Sequence, residues 1–169
     1  IAPGGRTERG SQDGGYEGAN HLTVLVRNRT GYENLIKLVS KAYLEGYYYK
    51  PRVDRELLAQ HADGLLVLSG CLNSEVSRQL SAGDESRALE TAGWYQEVFG
   101  KDHYFMEVQS HGLEEQRKVT EGTVRIARAI GAPLVGTNDS HYLEAEHSRA
   151  HEALLCIQTG TTMSDPNRW

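Results

Sequence analysis

An α/β fold, with helices packed outside a parallel sheet, follows from three features of this sequence. Short β-branched and apolar runs alternate with amphipathic stretches; helix-capping residues stand at the junctions; and no apolar run is long enough to be anything but a buried strand or a helix face. Such a sheet is either open or closed into a barrel, and in both cases its chemistry belongs at the carboxyl ends of the strands.

The elements read in order. Residues 4–19 are rich in Gly, Ser, Asp and Arg and are expected to form a loop or a disordered segment. His21-Leu22-Thr23-Val24-Leu25-Val26 has strand character. Thr30 is placed to cap a helix whose apolar residues Tyr32, Leu35, Ile36, Val39 and Tyr43 share one face, ending at Gly46. Leu65 to Leu68 is a second strand, and Asn73 or Ser74 caps a helix through Leu80. A longer helix covers about Asp84 to Phe99. Tyr104 to Gln109 is a third strand, followed by a helix from about Leu113 to Ile130 that Gly131 closes. Pro133 to Thr137 makes a fourth strand, and Glu146 to Ile157 has helical spacing.

Composition narrows the function classes. With 169 residues, a formal net charge of -5 and 38% hydrophobic residues, the chain suits one water-facing domain with a core. It holds no run near the roughly 20 apolar residues of a membrane helix, so a cytoplasmic protein without a membrane partner is expected. Cys71 and Cys156 lack the spacing of a disulfide framework or a zinc ribbon. The chain opens on Ile1 rather than Met and stops at Trp169 without a capped helix, which leads to the expectation that sequence is missing on both sides.

Reactive side chains fall at the strand ends. Asn138-Asp139-Ser140-His141 follows the fourth strand; in extended backbone Asp139 and His141 would reach one cation together, and an Asx turn with an exposed histidine is the other reading. Cys71 stands in the same place after the second strand, either as a thiolate ligand or as a small apolar filler. His21 lies at the start of its strand, which counts against a catalytic role. Glu107, Gln109 and His111 alternate along the third strand and just past it, as groups facing a site or as part of a turn. His61, His103, His147 and His151 fall at helix ends or on helices, where solvated or capping roles suit them. Tyr47-Tyr48-Tyr49-Lys50-Pro51-Arg52 joins aromatic rings to cations, so Tyr48, Lys50 and Arg52 are candidate nucleic-acid contacts, or the loop simply packs on the domain.

Several of these runs, in one order, resemble a known family over nearly the whole chain. They are Ile1-Ala2-Pro3-Gly4, His21-Leu22-Thr23-Val24-Leu25, Thr30-Gly31-Tyr32-Glu33-Asn34-Leu35, Ser40-Lys41-Ala42-Tyr43, Leu68-Ser69-Gly70-Cys71, Tyr104 to Gln109, Thr137 to Tyr142, Ala150-His151-Glu152 and Asp165-Pro166. The resemblance is to the PHP domain, the polymerase and histidinol phosphatase domain, of bacterial DNA polymerase III alpha subunits.

That resemblance implies an incomplete distorted (β/α)7 PHP barrel whose early strands precede Ile1. Residues 1–157 would be the later part of the domain and 158–169 the start of a connection to the polymerase region. It implies metal ligands at His21, Cys71, Asp139 and His141, overriding the strand-position objection to His21. The metals implied are zinc or manganese, with magnesium also possible. The partners implied are primer-template DNA and, through the parent protein, the sliding clamp and clamp loader. The activity implied is a 3′-5′ proofreading exonuclease within a replicative polymerase, and the isolated segment is expected to be inactive. The rival expectations are a PHP domain that is structural only and a free-standing PHP phosphoesterase.

Overall fold

The computed structural model describes residues 1–9 and 19–168. The part of the glycine-rich loop between them lies outside the described residues. Two compact units result, Ile1–Thr137 and Asn138–Trp169.

The first unit contains β1 (Thr23–Val26), α1 (Arg29–Leu44), α2 (Arg55–Gln60), β2 (Leu65–Leu68), α3 (Glu75–Ser81), α4 (Glu85–Phe99), β3 (Tyr104–Val108), α5 (Glu114–Ile130) and β4 (Leu134–Gly136). Among the described residues the sheet has four strands in the order β1-β2-β3-β4. Pairing is parallel from β2 through β4, as the strand and helix alternation requires. At β1 it is not. Thr23 pairs with Leu68 and Val26 with Leu65, so β1 runs antiparallel to β2. An all-parallel sheet would need a single crossover between them. The connection instead holds two helices, α1 and the short α2, and the chain re-enters the sheet reversed.

The core is built largely where the periodicity placed it, although Leu25 and Val26 of β1 and the later residues Leu154 and Ile157 are exposed. Leu57, Leu58, Val67, Val76, Ala88, Tyr95, Tyr104, Met106 and Ile126 are buried around β2 and β3. The Tyr95 and Tyr104 rings stack with centroids 5.6 Å apart. The more extensive departure is α1. Its apolar stripe was expected to pack inward, yet Tyr32, Ile36, Val39 and Tyr43 are about half exposed, at 50%, 48%, 50% and 59%. The buried face is Gly31, Asn34, Leu38 and Ala42. Backbone proximity explains the choice: a Cβ at Gly31 would sit 1.9 Å from the Gly64 carbonyl oxygen, and Asn34 Nδ2 donates to the Asp63 carbonyl at 2.9 Å. Only a small-residue face fits that approach.

Caps define the helix ends. Asn28, not Thr30, caps α1, its side-chain oxygen accepting the Gly31 N–H at 2.9 Å. Ser74 caps α3, Asp84 caps α4, and Gly131 closes α5 in the left-handed conformation. Residues 4–9 carry no helix or strand, but Arg6 is held firmly. Its guanidinium pairs with Glu45 and Asp54, and its N–H donates to Asp54 Oδ2 at 2.9 Å.

The second unit holds a short 3-10 turn (Ala145–His147) leading into α6 (Ser148–Thr159), which continues two residues beyond Ile157. No helix among the described residues is long and apolar enough to cross a membrane.

Candidate functional site

The reversal of β1 decides where His21 lies. In a parallel sheet the residue before β1 would stand at the opposite end from Cys71. With Thr23 level with Leu68, the chain before β1 instead meets the chain leaving β2. His21 donates its N–H to the Asn73 carbonyl at 3.0 Å and forms a bridge with Ser74. Cys71 Sγ lies 3.4 Å from His21 Nδ1. The strand-position objection to His21 was therefore wrong, because it assumed the direction of β1.

Gly70 makes this meeting possible. Its φ is +92°, and a Cβ there would approach Ser74 Cβ at 2.9 Å and the His21 carbonyl at 3.2 Å. Any other residue would be strained and crowded at once. The Gly70 N–H donates to Glu107 Oε2 at 2.9 Å.

Glu107 is buried at the carboxyl end of β3 and links three strand ends. Its other carboxylate oxygen accepts from the Thr137 hydroxyl, just past β4, and from Gln109 Nε2 at 3.2 Å. Its own N–H donates to Ser69 Oγ at 2.8 Å, and Gln109 Nε2 also reaches Thr137 Oγ1 at 3.1 Å. Cys71, Glu107, Gln109 and Gln116 line one narrow crevice. It leads toward an open cavity of about 330 Å³ lined by Gln109, Ser110, Leu113, Gln116, Arg117 and Thr120. A larger cavity, about 620 Å³ between Pro3, Arg55, Arg87 and Trp94, includes none of the candidate residues.

Asp139 and His141 belong to the second unit. Asp139 is exposed with φ +48°, so its backbone is left-handed, not the extended chain that would set the two side chains parallel. The link between them runs instead through the backbone: His141 Nδ1 lies 2.6 Å from the Asp139 carbonyl oxygen. A carbonyl can only accept, so Nδ1 carries the proton and the lone pair of the neutral ring is on Nε2. Metal-binding histidines are held in this way, their second nitrogen donating to a carbonyl or carboxylate. His151 on α6, assigned above only to a helix, places its ring 5.7 Å from that of His141 and 5.4 Å from that of Tyr142. The His141 and His151 pairing crosses from a loop to a helix, so no local spacing announces it.

Among the described residues no group of three or more His, Cys, Asp and Glu side chains is poised around one metal position. The donor types nevertheless fit a borderline metal: a thiol beside an imidazole in the first unit, and a carboxylate with an Nε2 lone pair in the second.

One candidate contact is overturned. Arg52 is buried, and its guanidinium donates to the carbonyls of Gly46, Arg6 and Glu8 at 3.2, 3.1 and 2.9 Å while covering the Tyr48 ring at 5.2 Å. It folds its loop onto the amino-terminal segment and is not directed at phosphate. Tyr48 is half-buried beneath it, and Lys50 is exposed beyond a tight turn at Tyr49.

Residues 7–111 match the PHP domain family. The chain belongs to that family. Its similarity to curated relatives runs nearly the length of the sequence. DNA polymerase III subunit alpha of Treponema pallidum is 51% identical over 99% of this chain, and that of Thermus aquaticus is 48% identical over 93%. The Mycobacterium tuberculosis subunit is 41% identical over all of it. The chain spans only 14%, 12% and 15% of those three relatives.

Proposed function

We infer that this segment belongs to a replicative DNA polymerase alpha subunit, where it forms the later part of a PHP barrel of the (β/α)7 type. In that protein it contributes to a metal-dependent 3′-5′ proofreading exonuclease. The observation that carries the reading is the convergence of His21 and Cys71, 3.4 Å apart, at the carboxyl ends of the parallel strands. Residues 1–157 act as the later part of the domain and 158–169 as the start of its connection to the polymerase region. Primer-template DNA is the substrate, and the sliding clamp and clamp loader are partners of the whole protein, working in the cytoplasm.

His21 and Cys71 in the first unit, and Asp139 and His141 in the second, would each serve as metal ligands, for zinc or manganese in preference to magnesium, because thiolate and imidazole are softer than oxygen donors. A divalent metal bound there supplies an activated water and neutralises charge on the phosphodiester oxygens. The protein's own share is orientation. Gly70 turns Cys71 toward His21, Glu107 holds that turn against β3 and the end of β4, and the Asp139 carbonyl fixes the His141 tautomer.

The test uses the full-length protein with added manganese and a primer bearing a mismatched 3′ end. Asp139→Ala or His141→Ala should lower both bound metal and the rate of primer shortening. Unchanged metal content and rate would refute this reading. Lower metal content and melting temperature with an unchanged exonuclease rate would assign the domain a structural role instead.

A further inference from the structure

Gln109, just past the carboxyl end of β3, lines both the narrow crevice beside Cys71 and the adjoining cavity of about 330 Å³. Its amide is oriented from behind. Nε2 lies 3.2 Å from Glu107 Oε1 and 3.1 Å from Thr137 Oγ1. A carboxylate only accepts, so the atom facing it is the NH2 group and not the amide oxygen. The Thr137 hydroxyl gives its proton to the same Glu107 oxygen, which leaves Thr137 Oγ1 to accept the second N–H of Gln109. Both amide protons are therefore used. The oxygen Oε1 is left as an acceptor that no donor among the described residues reaches.

The other amide of the crevice differs. Gln116 is buried and engaged at both ends, Oε1 accepting the His111 N–H at 2.6 Å and Nε2 lying 2.9 Å from His111 Nδ1. Arg117, which also lines the cavity, is paired with Glu114 at 2.8 Å. Gln109 thus offers an acceptor of fixed orientation and has no donor to spare. Such a group does not hold a phosphodiester, whose oxygens also only accept; it holds a hydroxyl or an N–H. The cavity is of the size that small ligands occupy, roughly 300–1,000 Å³. Nucleotides carry donors of both kinds. The bases differ in theirs, whereas every unblocked strand end carries the same 3′-hydroxyl. An enzyme that removes whichever nucleotide is mismatched requires the shared group.

Resting on the exonuclease reading above, we propose that Gln109 Oε1 accepts a hydrogen bond from the 3′-hydroxyl of the terminal nucleotide, held in the cavity beside the Cys71 crevice. Glu107 and Thr137 are the positioning residues that keep the amide oxygen available. Gln109 then selects for a free strand end and not for a base.

Two measurements use the full-length protein loaded with manganese. Calorimetry compares the binding of thymidine 5′-monophosphate with that of its 3′-deoxy analogue. Shortening is followed on primers that end in a 3′-hydroxyl, 3′-amino, 3′-deoxy or 3′-fluoro sugar. The hydroxyl and amino ends should agree within about threefold in kcat/KM. The deoxy and fluoro ends, which have no donor, should be about tenfold lower, the size of one hydrogen bond, whichever base is last. Gln109→Met keeps the length of the side chain and removes the acceptor. It should bring the hydroxyl substrates down to the level of the deoxy ones and leave the deoxy ones nearly unchanged, in binding and in turnover alike. Gln109→Asn, which draws the amide oxygen back by one methylene, should do the same and decides the matter if Q109M does not fold. An equal loss for both kinds of substrate would make Gln109 merely structural and overturn the proposal. So would a preference that follows the terminal base, or a fluoro end that reacts as fast as a hydroxyl one. If the protein prefers the hydroxyl form of the monophosphate but never shortens a primer, the exonuclease reading fails and this contact stands. Shortening without the preference refutes the contact alone, and a protein that shows neither refutes both.

Discussion

His21 and Cys71, fifty positions apart, bring Nδ1 and Sγ to 3.4 Å because β1 enters the sheet against the direction of β2. A thiol paired with an imidazole discriminates among metals in a way that oxygen donors do not. Replacing Cys71 with Ser removes the soft donor and keeps the size. Zinc affinity of the full-length protein should fall by at least about tenfold, the least that loss of a metal-supporting group costs, and manganese affinity should fall less. Equilibrium dialysis with metal analysis measures both. An equal loss for the two metals would show that the thiol does not select between them.

Gly70 is the hinge of that relationship, and its requirement can be tested without any metal. Gly70→Ala introduces a left-handed alanine and a Cβ 2.9 Å from Ser74 Cβ. The expected cost is about 1–3 kcal/mol, the usual range for a residue held in such backbone. Hydrogen exchange should show the loss concentrated at residues 70–74, whereas Gly83→Ala, where a Cβ meets nothing within 4 Å, should leave that loop as it was. Equal exchange in the 70–74 loop of both variants would mean that Gly70 is not a structural requirement.

Much of the fold was legible because its signals are local. Ser74, Asp84 and Gly131 mark helix ends through contacts within a few residues, and the apolar run Leu65 to Leu68 has no other use than burial. The direction of β1 was not legible, since it depends on how the 45–64 connection folds, and α2 is too short to show a period. Nor was the buried face of α1, where close backbone approach at Gly31 outweighs the pull of four larger apolar side chains. Of the candidate site, the residue types at the strand ends were readable. The Glu107 and Gln116 networks were not, because their partners lie on other elements or depend on loop geometry.

Asp54 gives the fold an acid-sensitive anchor. Burial raises its pKa, but the N–H groups of Arg6 and Leu57 and the Arg6 guanidinium outweigh this and hold the carboxyl below the ordinary carboxylate range. A lowered folded value means that ionised Asp54 stabilises the native state. That contribution is complete above about pH 4, the unfolded value, and is lost as the pH falls through the lower folded one. Asp54→Asn should lower the melting temperature at neutral pH and flatten its fall in acid. A melting curve measured from pH 6 down to pH 3 checks this, and parallel curves for both proteins would count against the anchor.

Glu107 offers the sharpest separation of structure from chemistry. Its carboxylate accepts from Gly70, Gln109 and Thr137, so Ala leaves three donors facing a buried gap. Bonds to a charged group contribute about 1.5–3 kcal/mol each, and their loss is partly relieved where water can enter, so a total near 3 kcal/mol is expected. Gln is the informative substitution. Its carbonyl oxygen can still accept on one side, but its NH2 must face donors on the other, either the Gly70 N–H or the Thr137 hydroxyl with the Gln109 amide. A hydroxyl can turn and a side-chain amide can flip to accept, whereas a backbone N–H cannot. Glu107→Gln should therefore keep its oxygen toward Gly70, keep the Cys71 loop in place and retain most of the stability that Glu107→Ala loses. Thermal unfolding and alkylation of Cys71 read the two effects separately. If Cys71 became equally reactive in both variants, Glu107 would not be what fixes the loop.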